Sequence, residues 1–353
     1  MSRFLQLHLL TFFPPANLNR DDTGRPKTAV VGGATRLRLS SQALKRAWRT
    51  SDAFSTALAG HMGQRTQRLG DVVLAHLRAG GMDDAKAVDT ARSIAMVFGK
   101  VKDLKDANPA RTEQLAFISP EERQAALAMA DQALAGGKID PKPATLLRTA
   151  DTAADIALFG RMLADNPGYN REAAAQVAHA ITTHKVTVED DYYTAVDDLK
   201  TPAEDAGAGF LGEAAFGSGV FYLYLCVDQG LLVKNLSGDT ALAATALGAL
   251  AETAATTAPS GKQNSFAAHG RAGYVLAERG DQQPRTLAGA FARPVTGDDI
   301  MAASIGNLRK FRAAIDKAYG PAADANLEME VGGDHTLADI VAFFREETPC
   351  PAT

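Results

Sequence analysis

A cluster of positively charged side chains near the start of the sequence has the composition of a polyanion-binding site. The stretch from Gly32 to Arg49 reads GGATRLRLSSQALKRAWR. Within the first fifty residues, nine Lys and Arg accompany only two acidic residues, although the whole chain of 353 residues has a net charge of −4. These cations are Arg3, Arg20, Arg25, Lys27, Arg36, Arg38, Lys45, Arg46 and Arg49. A solvated surface normally mixes the two signs of charge, so this cluster indicates a partner with many negative charges.

Local patterns predict the elements that position these cations. Alternating arginine and leucine predict a strand over residues 36–39, and Ser40-Ser41 predicts the N-terminal cap of a helix that begins near Gln42. A helix start with converging cations from the strand and from the preceding loop is what a phosphate backbone needs. The helix face expected in the core contains Leu44, Ala47 and Trp48. The polar face contains Gln42, Lys45 and Arg49.

Other residue types that could perform catalysis or hold a metal are weaker candidates. Asp21 and Asp22 could bind Mg²⁺ and assist phosphodiester cleavage, but a turn in which they balance Arg20 is the favoured alternative. His179 and His184 are five residues apart, which would place them on different helix faces, and no Gly-x-Ser-x-Gly motif is present. We therefore expect no catalytic residue, no bound metal and no cofactor.

A polar segment over residues 185–218 contains eight acidic residues and two lysines, and it predicts an excursion from the core. Its match to Gly-x-Gly-x-x-Gly at 207–212 lacks a preceding buried strand, so we interpret it as a flexible loop tip and not as a dinucleotide site. Tyr192 and Tyr193 are adjacent on a predicted strand and point to opposite faces. One ring could pack inward while the other stacks on a base.

The remaining patterns predict a mixed α+β fold, for which the split β-α-β-β-α-β arrangement of RNA-recognition folds is one candidate. Leucines that alternate with polar residues over 4–13 are typical of a half-buried strand, and residues 53–181 are expected to be almost wholly helical, including REAAAQVAHAITTH at their end. Further predicted elements are a buried strand over 220–228, a helix over 239–257, a strand over 273–277, and helices over 297–319 and 336–347.

No segment predicts secretion or membrane insertion. Gln6 and His8 interrupt the first apolar run, Pro-Pro follows it, and no run approaches the ~18 apolar residues of a membrane span. The only two cysteines, Cys226 and Cys350, cannot form a disulfide framework or a cysteine-rich metal site. We expect a cytoplasmic protein.

Several motifs, in consistent order and spacing, carry a resemblance to a known family. They are LNRDD (18–22) followed by Lys27, GG (32–33), RxRxSSQxLKRAxR (36–49), AHAITTHxV (178–186), YTAVDDL (193–199), FGSGVFY (216–222) and GKQNSFAAH (261–269). These motifs resemble the CasC family, the RNA-binding backbone subunit of the type I-E CRISPR Cascade complex. The resemblance covers roughly residues 1–50 and 178–275.

The resemblance implies a subunit shaped like a right hand. Residues 1–52 and 219–353 would form a palm that resembles the RNA-recognition motif, a ferredoxin-like fold. Residues 53–181 would form inserted helical fingers, and 185–218 a thumb that resembles a β-hairpin. Copies of such a subunit line up along one CRISPR RNA, beside other Cascade subunits, and present the guide for pairing with the target DNA strand. The subunit itself is non-catalytic.

The resemblance also implies a set of RNA-binding residues. Contacts to the RNA backbone would come from Lys27, Ser40, Gln42, Lys45 and Arg49. Thumb and finger contacts would come from Met162, Tyr192, Tyr193, Thr194 and Val196. Arg20 and Arg46 of the cationic cluster, and Lys262 of a lysine-containing turn, complete the predicted RNA-binding set.

Two alternatives remain open at this point. The chain could be a metal-dependent ribonuclease of the related type III backbone class that uses Asp21 or Asp22, or it could be a monomeric RNA-binding module. A further hypothesis concerns the acidic residues of 185–218. We expect them to face the cationic region Arg20–Arg49 of an adjacent copy, because such a head-to-tail contact extends into a filament.

Overall fold

The structure is a computed structural model that describes residues 3–195 and 210–346. It combines helices with a large antiparallel sheet, which confirms the predicted α+β class. The chain divides into two compact units. Unit 1 consists of Met1–Phe54, Val177–Cys226 and Leu250–Thr353, and unit 2 consists of Ser55–Gln176 and Val227–Ala249.

The described residues form the following elements. The strands are β1 (Phe4–Ala16), β2 (Thr28–Val31), β3 (Ala34–Leu39), β4 (Gln64–Thr66), β5 (Ala116–Ile118), β6 (Ala175–Val177), β7 (Ala180–Thr182), β8 (Glu189–Ala195), β9 (Phe210–Asp228), β10 (Ala272–Gly280) and β11 (Ala325–Glu330). The helices are α1 (Ser41–Arg49), α2 (Asp52–Ala57), α3 (Leu69–Ala79), α4 (Asp84–Ala95), α5 (Pro120–Leu134), α6 (Pro143–Leu146), α7 (Ala154–Phe159), α8 (Gln229–Asn235), α9 (Thr240–Thr256), α10 (Gln263–Phe266), α11 (Ile300–Tyr319) and α12 (Leu337–Arg345). Across residues 3–195 and 210–346, every helix is too short or too polar to cross a membrane.

The large sheet has the strand order β11-β10-β1-β9-β7-β3-β2, and β6 and β8 pair with β9 away from this path. Its long central strands are predominantly apolar, as burial in a core requires. Helix α11 packs on the sheet, where Ile305 and Leu308 join Leu10 and Leu276 in one buried cluster. This packing covers one face of β1, β9 and β10.

The first part of strand β1 was predicted as half-buried, and this prediction is wrong because both faces are buried over residues 5–10. Gln6 and His8 are as inaccessible to solvent as the leucines between which they lie. Burial lowers the pKa of His8, whose Nε2 lies 3.2 Å from Glu278 Oε2. Its Nδ1 lies 2.9 Å from the hydroxyl of Tyr222. His8 is therefore hydrogen-bonded to residues of distant strands instead of to water.

The predicted helix at REAAAQVAHAITTH is also wrong, since this segment contains β6 and β7. Strand β7 lies between β3 and β9, with Ile181 opposite Arg38 on one side and Tyr222 on the other. Sheet hydrogen bonds on both edges outweigh the helix propensity of the alanines. The expectation of an almost wholly helical segment over 53–181 needs a second correction, because β4 and β5 form a short antiparallel ladder there.

Unit 2 has its own core, built mainly from α3, α4 and α5. Helix α5 begins with a capping box in which Ser119 and Glu122 bond to each other's backbone N–H groups. Its buried alanines pack with Val73 and Leu77 of α3 and Ile94 of α4. Small residues on α5 allow this close helix packing, which explains the alanine-rich composition of the segment.

Candidate nucleic-acid interface

The loop between β1 and β2 is fixed by two asparagines. The buried amide of Asn17 donates to the main-chain carbonyl of Ala215 at 2.9 Å. Asn19 Oδ1 accepts the backbone N–H of Ser40 at 2.8 Å, and the Asn19 carbonyl accepts the backbone N–H of Lys27 at 2.8 Å. Asn19 therefore holds Lys27 beside the start of α1.

The acidic pair in this loop forms a turn. Asp21 Oδ1 accepts the backbone N–H and the hydroxyl of Thr23 at 2.9 and 2.8 Å and the backbone N–H of Arg25 at 3.0 Å. The Thr23 hydroxyl contributes most to a lowered pKa of Asp21. Asp22 and Arg20 are exposed in the same loop. Among the residues that the structure describes, no group of three or more His, Cys, Asp or Glu could hold a metal ion.

Helix α1 presents the predicted polar face beside this loop. Ser40 is its N-cap and accepts the backbone N–H of Ala43 at 3.4 Å. Leu44 and Trp48 are buried and anchor the opposite face. Of the predicted RNA-binding side chains, Gln42 and Arg46 are exposed, and Lys45 and Arg49 are half-buried. Partial burial lowers the pKa of Lys45. The helix thus carries four of the predicted residues on a support fixed by its apolar side.

Arg36 was counted among the cations available to a polyanion, and this part of the prediction is wrong. Its side chain is fully buried in unit 1. The guanidinium donates to the main-chain carbonyls of Thr182 at 2.8 Å and Phe291 at 3.1 Å. Arg36 therefore connects β3 to two neighbouring segments and cannot reach a ligand in solution.

The turn that contains Lys262 lies against the same loop. A Cβ atom on Gly261 would lie 2.4 Å from the carbonyl oxygen of Leu18, so only glycine permits this close approach. Lys262 itself has left-handed backbone geometry, with φ of 54°, and its side chain is exposed. The turn is further held by packing of Phe266 against Phe216, whose ring centroids are 6.0 Å apart. Lys262 thereby belongs to the same part of unit 1 as the loop with Arg20.

Strand β8 and the first part of β9 form an antiparallel ribbon that carries the predicted aromatic pair. Tyr192 lies opposite Glu213, and Tyr193 lies opposite Gly212. Tyr192 is 72% exposed. Tyr193 is less exposed, at 49%, because its ring lies over Gly212 in the space that a side chain there would fill. Thr194 is also exposed. Val196, Asp197 and Asp198 lie outside the described residues.

The ribbon is tied to the loop of its own chain by an ion pair. The Arg25 guanidinium donates to both carboxylate oxygens of Asp190, at 2.6 and 3.3 Å, and lies 3.8 Å from Glu213. We expected the acids of 185–218 to face the cationic region of an adjacent copy. For Asp190 and Glu213 this expectation needs correction, because a cation of the same chain occupies them.

We expect Arg25→Ala to loosen the ribbon. Without the Arg25 guanidinium, the amides of β8 should exchange their hydrogens several-fold faster, because within residues 3–195 and 210–346 β9 is the one strand that pairs with β8. Hydrogen exchange of peptides that cover β8 measures this effect. Asp191→Asn is the matched control, because Asp191 is exposed on the opposite face of the strand. Equal exchange rates in wild type and Arg25→Ala would contradict a positioning role of Arg25.

Met162 belongs to unit 2, where it is 81% exposed between two residues that are held by hydrogen bonds. The preceding Arg161 is buried and donates to Glu122 at 2.5 Å and to three main-chain carbonyls. The backbone N–H of Leu163 donates to Asn170 Oδ1 at 2.6 Å. Met162 is thus an apolar side chain in solvent on a rigid backbone, which suits a contact with a partner more than packing in a core.

The sequence-based prediction missed the asparagines that position the cationic loop. The signal was present, since asparagine beside Asp and Gly in a loop typically bonds to backbone groups. It also missed an interaction between Arg38 on β3 and His179, whose Nη1 and Nδ1 atoms are 2.8 Å apart. That pair required the correct β7, which the sequence pattern did not predict.

Comparisons with known proteins place this fold among chains of RNA-guided complexes. A chain of a CRISPR RNA-guided surveillance complex (pre-nicking) is 30% identical, with a TM-score of 0.83 over 96% of this chain and 99% of that chain. A chain of another CRISPR RNA-guided surveillance complex is 27% identical, with a TM-score of 0.71 over 95% of this chain and 94% of that chain. No curated protein matches the sequence.

The family model of CT1975-like proteins matches residues 5–342. The chain therefore belongs to the family of CT1975-like proteins. The resemblance found in the sequence motifs is confirmed at the level of this family, and the assignment to type I-E stays a prediction.

Proposed function

We propose that the chain is an RNA-binding backbone subunit of a CRISPR surveillance complex of type I-E, the Cascade complex. In this role several copies bind side by side along one CRISPR RNA and leave guide segments free to pair with the target DNA strand. Other Cascade subunits complete the assembly. The chain acts in the cytoplasm and requires neither a cofactor nor catalysis of its own.

The proposal assigns a part to each segment of the chain. Residues 1–52 and 219–353 form the palm, 53–181 the fingers and 185–218 the thumb. The RNA backbone follows the palm, where it meets Arg20, Lys27, Ser40, Gln42, Lys45, Arg46, Arg49 and Lys262. Met162 of the fingers and Tyr192, Tyr193, Thr194 and Val196 of the thumb contact the RNA between these backbone sites.

The observation that carries the proposal is the position of Lys27 beside the N-cap of α1. Asn19 bonds to the backbone of both Lys27 and Ser40, so a cationic side chain is held next to a helix start. Helix N-termini and cations together favour phosphate groups. RNA as the source of these phosphates is supported by the two similar solved complexes, which are CRISPR RNA-guided surveillance complexes.

Binding of labelled single-stranded RNAs to the full chain tests the proposal. We expect similar affinity for unrelated sequences and a steep loss of affinity with rising salt, because the contacts go to the phosphate backbone. A chain that binds none of these RNAs even at low salt would contradict the proposal.

The alternative of a ribonuclease is tested by Asp21→Asn/Asp22→Asn. We expect the wild-type chain to leave RNA intact in Mg²⁺, because Asp21 Oδ1 is engaged in hydrogen bonds of its turn. The double variant should bind RNA as well as the wild type. Gel analysis of labelled RNA with and without Mg²⁺ gives the measurement. Cleavage by the wild type that disappears in the double variant would establish the ribonuclease in place of our proposal.

A further inference from the structure

A pair of side chains at one end of β3 and β7 was not part of the predicted RNA-binding set. In this antiparallel pair Arg38 lies opposite Ile181, and Leu39 lies opposite Ala180. One residue further, His179 comes to lie beside Ser40, the N-cap of α1. Arg38 and His179 are diagonal neighbours on one face of the sheet, where side chains of this length meet.

The contact between these two residues fixes their protonation states. Arg38 Nη1 and His179 Nδ1 are 2.8 Å apart. A guanidinium is always protonated, so it donates, and His179 Nδ1 accepts. His179 is therefore neutral and carries its hydrogen on Nε2. Burial first, and then the charges of Arg38 and Lys27, lower the pKa of His179, in agreement with this assignment.

Arg38 differs from three exposed or partly buried arginines of unit 1 in its charge balance. Arg25, Arg285 and Arg309 each pair with at least one carboxylate. Within residues 3–195 and 210–346, no Asp or Glu pairs with Arg38, whose described partner is the uncharged ring of His179. The positive charge of Arg38 is thus oriented but not neutralised, which leaves it available to an anion.

The position of Arg38 connects it to the candidate interface. Its backbone N–H donates to the carbonyl of Lys27 at 2.8 Å, and it lies two residues before Ser40. The guanidinium is half-buried at the surface, in contrast to the fully buried Arg36 two residues earlier on the same strand. Lys27 is the link between Arg38 and the candidate interface, because its carbonyl accepts from the Arg38 backbone and its charge contributes to the lowered pKa of His179.

We propose that Arg38 binds a phosphodiester group of the RNA and that His179 is the residue that positions its guanidinium. The proposal rests on the proposed function and extends it by two residues. A planar guanidinium can donate two parallel hydrogen bonds to one phosphate, and an acceptor on Nη1 restricts its rotation. Arg38 supplies the contact, and His179 acts through Arg38.

The test measures binding of a labelled oligouridine of about 12 nucleotides to the full chain over a series of salt concentrations. We expect Arg38→Ala to weaken binding about tenfold and to flatten the slope of log K against log salt by about 0.7, as the loss of one phosphate contact predicts. Arg345→Ala, which removes an exposed arginine from α12, is the matched control and should leave affinity and slope unchanged.

The positioning role of His179 has its own readouts. We expect His179→Ala to weaken binding several-fold and His179→Asn to restore it, since the Asn oxygen can accept from Arg38. In the Arg38→Ala background, His179→Ala should add no further loss. An equal loss in that background would overturn the positioning role.

The outcomes also separate this inference from the proposed function. If the wild type binds but Arg38→Ala behaves like Arg345→Ala, the inference fails and the proposed function stands. If the wild type binds no RNA, both fail.

Discussion

We expect Lys45→Ala/Arg49→Ala to lower the affinity of the chain for RNA by roughly 100-fold, about tenfold for each lost phosphate contact. Both side chains lie on the polar face of α1, whose other face is anchored by Leu44 and Trp48. The slope of log K against log salt should flatten by about 0.7 per lost contact, and unrelated RNA sequences should lose affinity alike. Fluorescence anisotropy with labelled RNAs at several salt concentrations measures both quantities.

The matched control is Lys310→Ala/Lys317→Ala, which removes two exposed cations from α11 and changes the net charge equally. We expect this control to bind RNA nearly as well as the wild type. Trp48 of α1 is the only tryptophan, and its side chain is fully buried. Its fluorescence therefore reports whether Lys45→Ala/Arg49→Ala keeps the fold. A loss that depends on RNA sequence, with an unchanged salt slope, would show that these residues read bases.

The second large effect is expected on stability, from Glu278→Gln in the buried network of β1 and β10. The side chain of Glu278 is fully buried and pairs with His8 at 3.2 Å, Arg285 at 2.5 Å and Arg312 at 2.8 Å. Without the carboxylate, Arg285 and Arg312 lose their fully buried partner and keep the partly exposed carboxylates of Asp316 and Glu328. We therefore expect a loss of about 3–5 kcal/mol in the free energy of unfolding of unit 1. Urea denaturation followed by Trp48 fluorescence measures it.

The same network predicts a pH dependence of stability. Burial opposes ionisation of Glu278, but hydrogen bonds from His8 and Arg285 outweigh this and lower its pKa below the ordinary value of 4.5. A carboxyl group with a lowered pKa contributes stability that is present above its unfolded-state pKa and is lost as the pH falls below it. Wild-type unit 1 should thus lose stability below pH 4.5 more steeply than Glu278→Gln.

Glu346→Gln provides the control for this prediction. Glu346 pairs with Arg279 at 2.7 Å, but its side chain is 59% exposed. Exposed pairs contribute at most about 1 kcal/mol, so this variant should unfold close to the wild type. A Glu278→Gln variant that is as stable as Glu346→Gln would contradict the role assigned to the network.

The elements that could be predicted from the sequence are those that local signals determine. Helix α1 follows from the serine cap and the spacing of Leu44 and Trp48, and the structure has it over Ser41–Arg49 with Ser40 as its cap. Strand β3 follows from alternation over four residues. Neither prediction needed knowledge of the remaining chain, because capping and periodicity act within one or two turns.

The features that could not be predicted depend on partners far away in the sequence. The local pattern predicts that His8 faces solvent. In the fold, His8 contacts Tyr222 and Glu278, which follow more than 200 residues later. The local pattern likewise predicts that Arg36 can bind a polyanion. In the fold, its guanidinium donates to the carbonyls of Thr182 and Phe291. Local alternation identifies a strand but does not tell whether its polar face meets water or other protein groups.

We propose above that copies of this chain bind side by side on one RNA. The contacts would come from Lys27 and from the polar face of α1. Native mass spectrometry of the full chain with single-stranded RNAs of increasing length counts the copies on each RNA. We predict that the number of bound copies rises stepwise with RNA length, and that Lys45→Ala/Arg49→Ala abolishes this rise. One copy on every RNA, regardless of its length, would contradict the claim and identify a monomeric RNA-binding module.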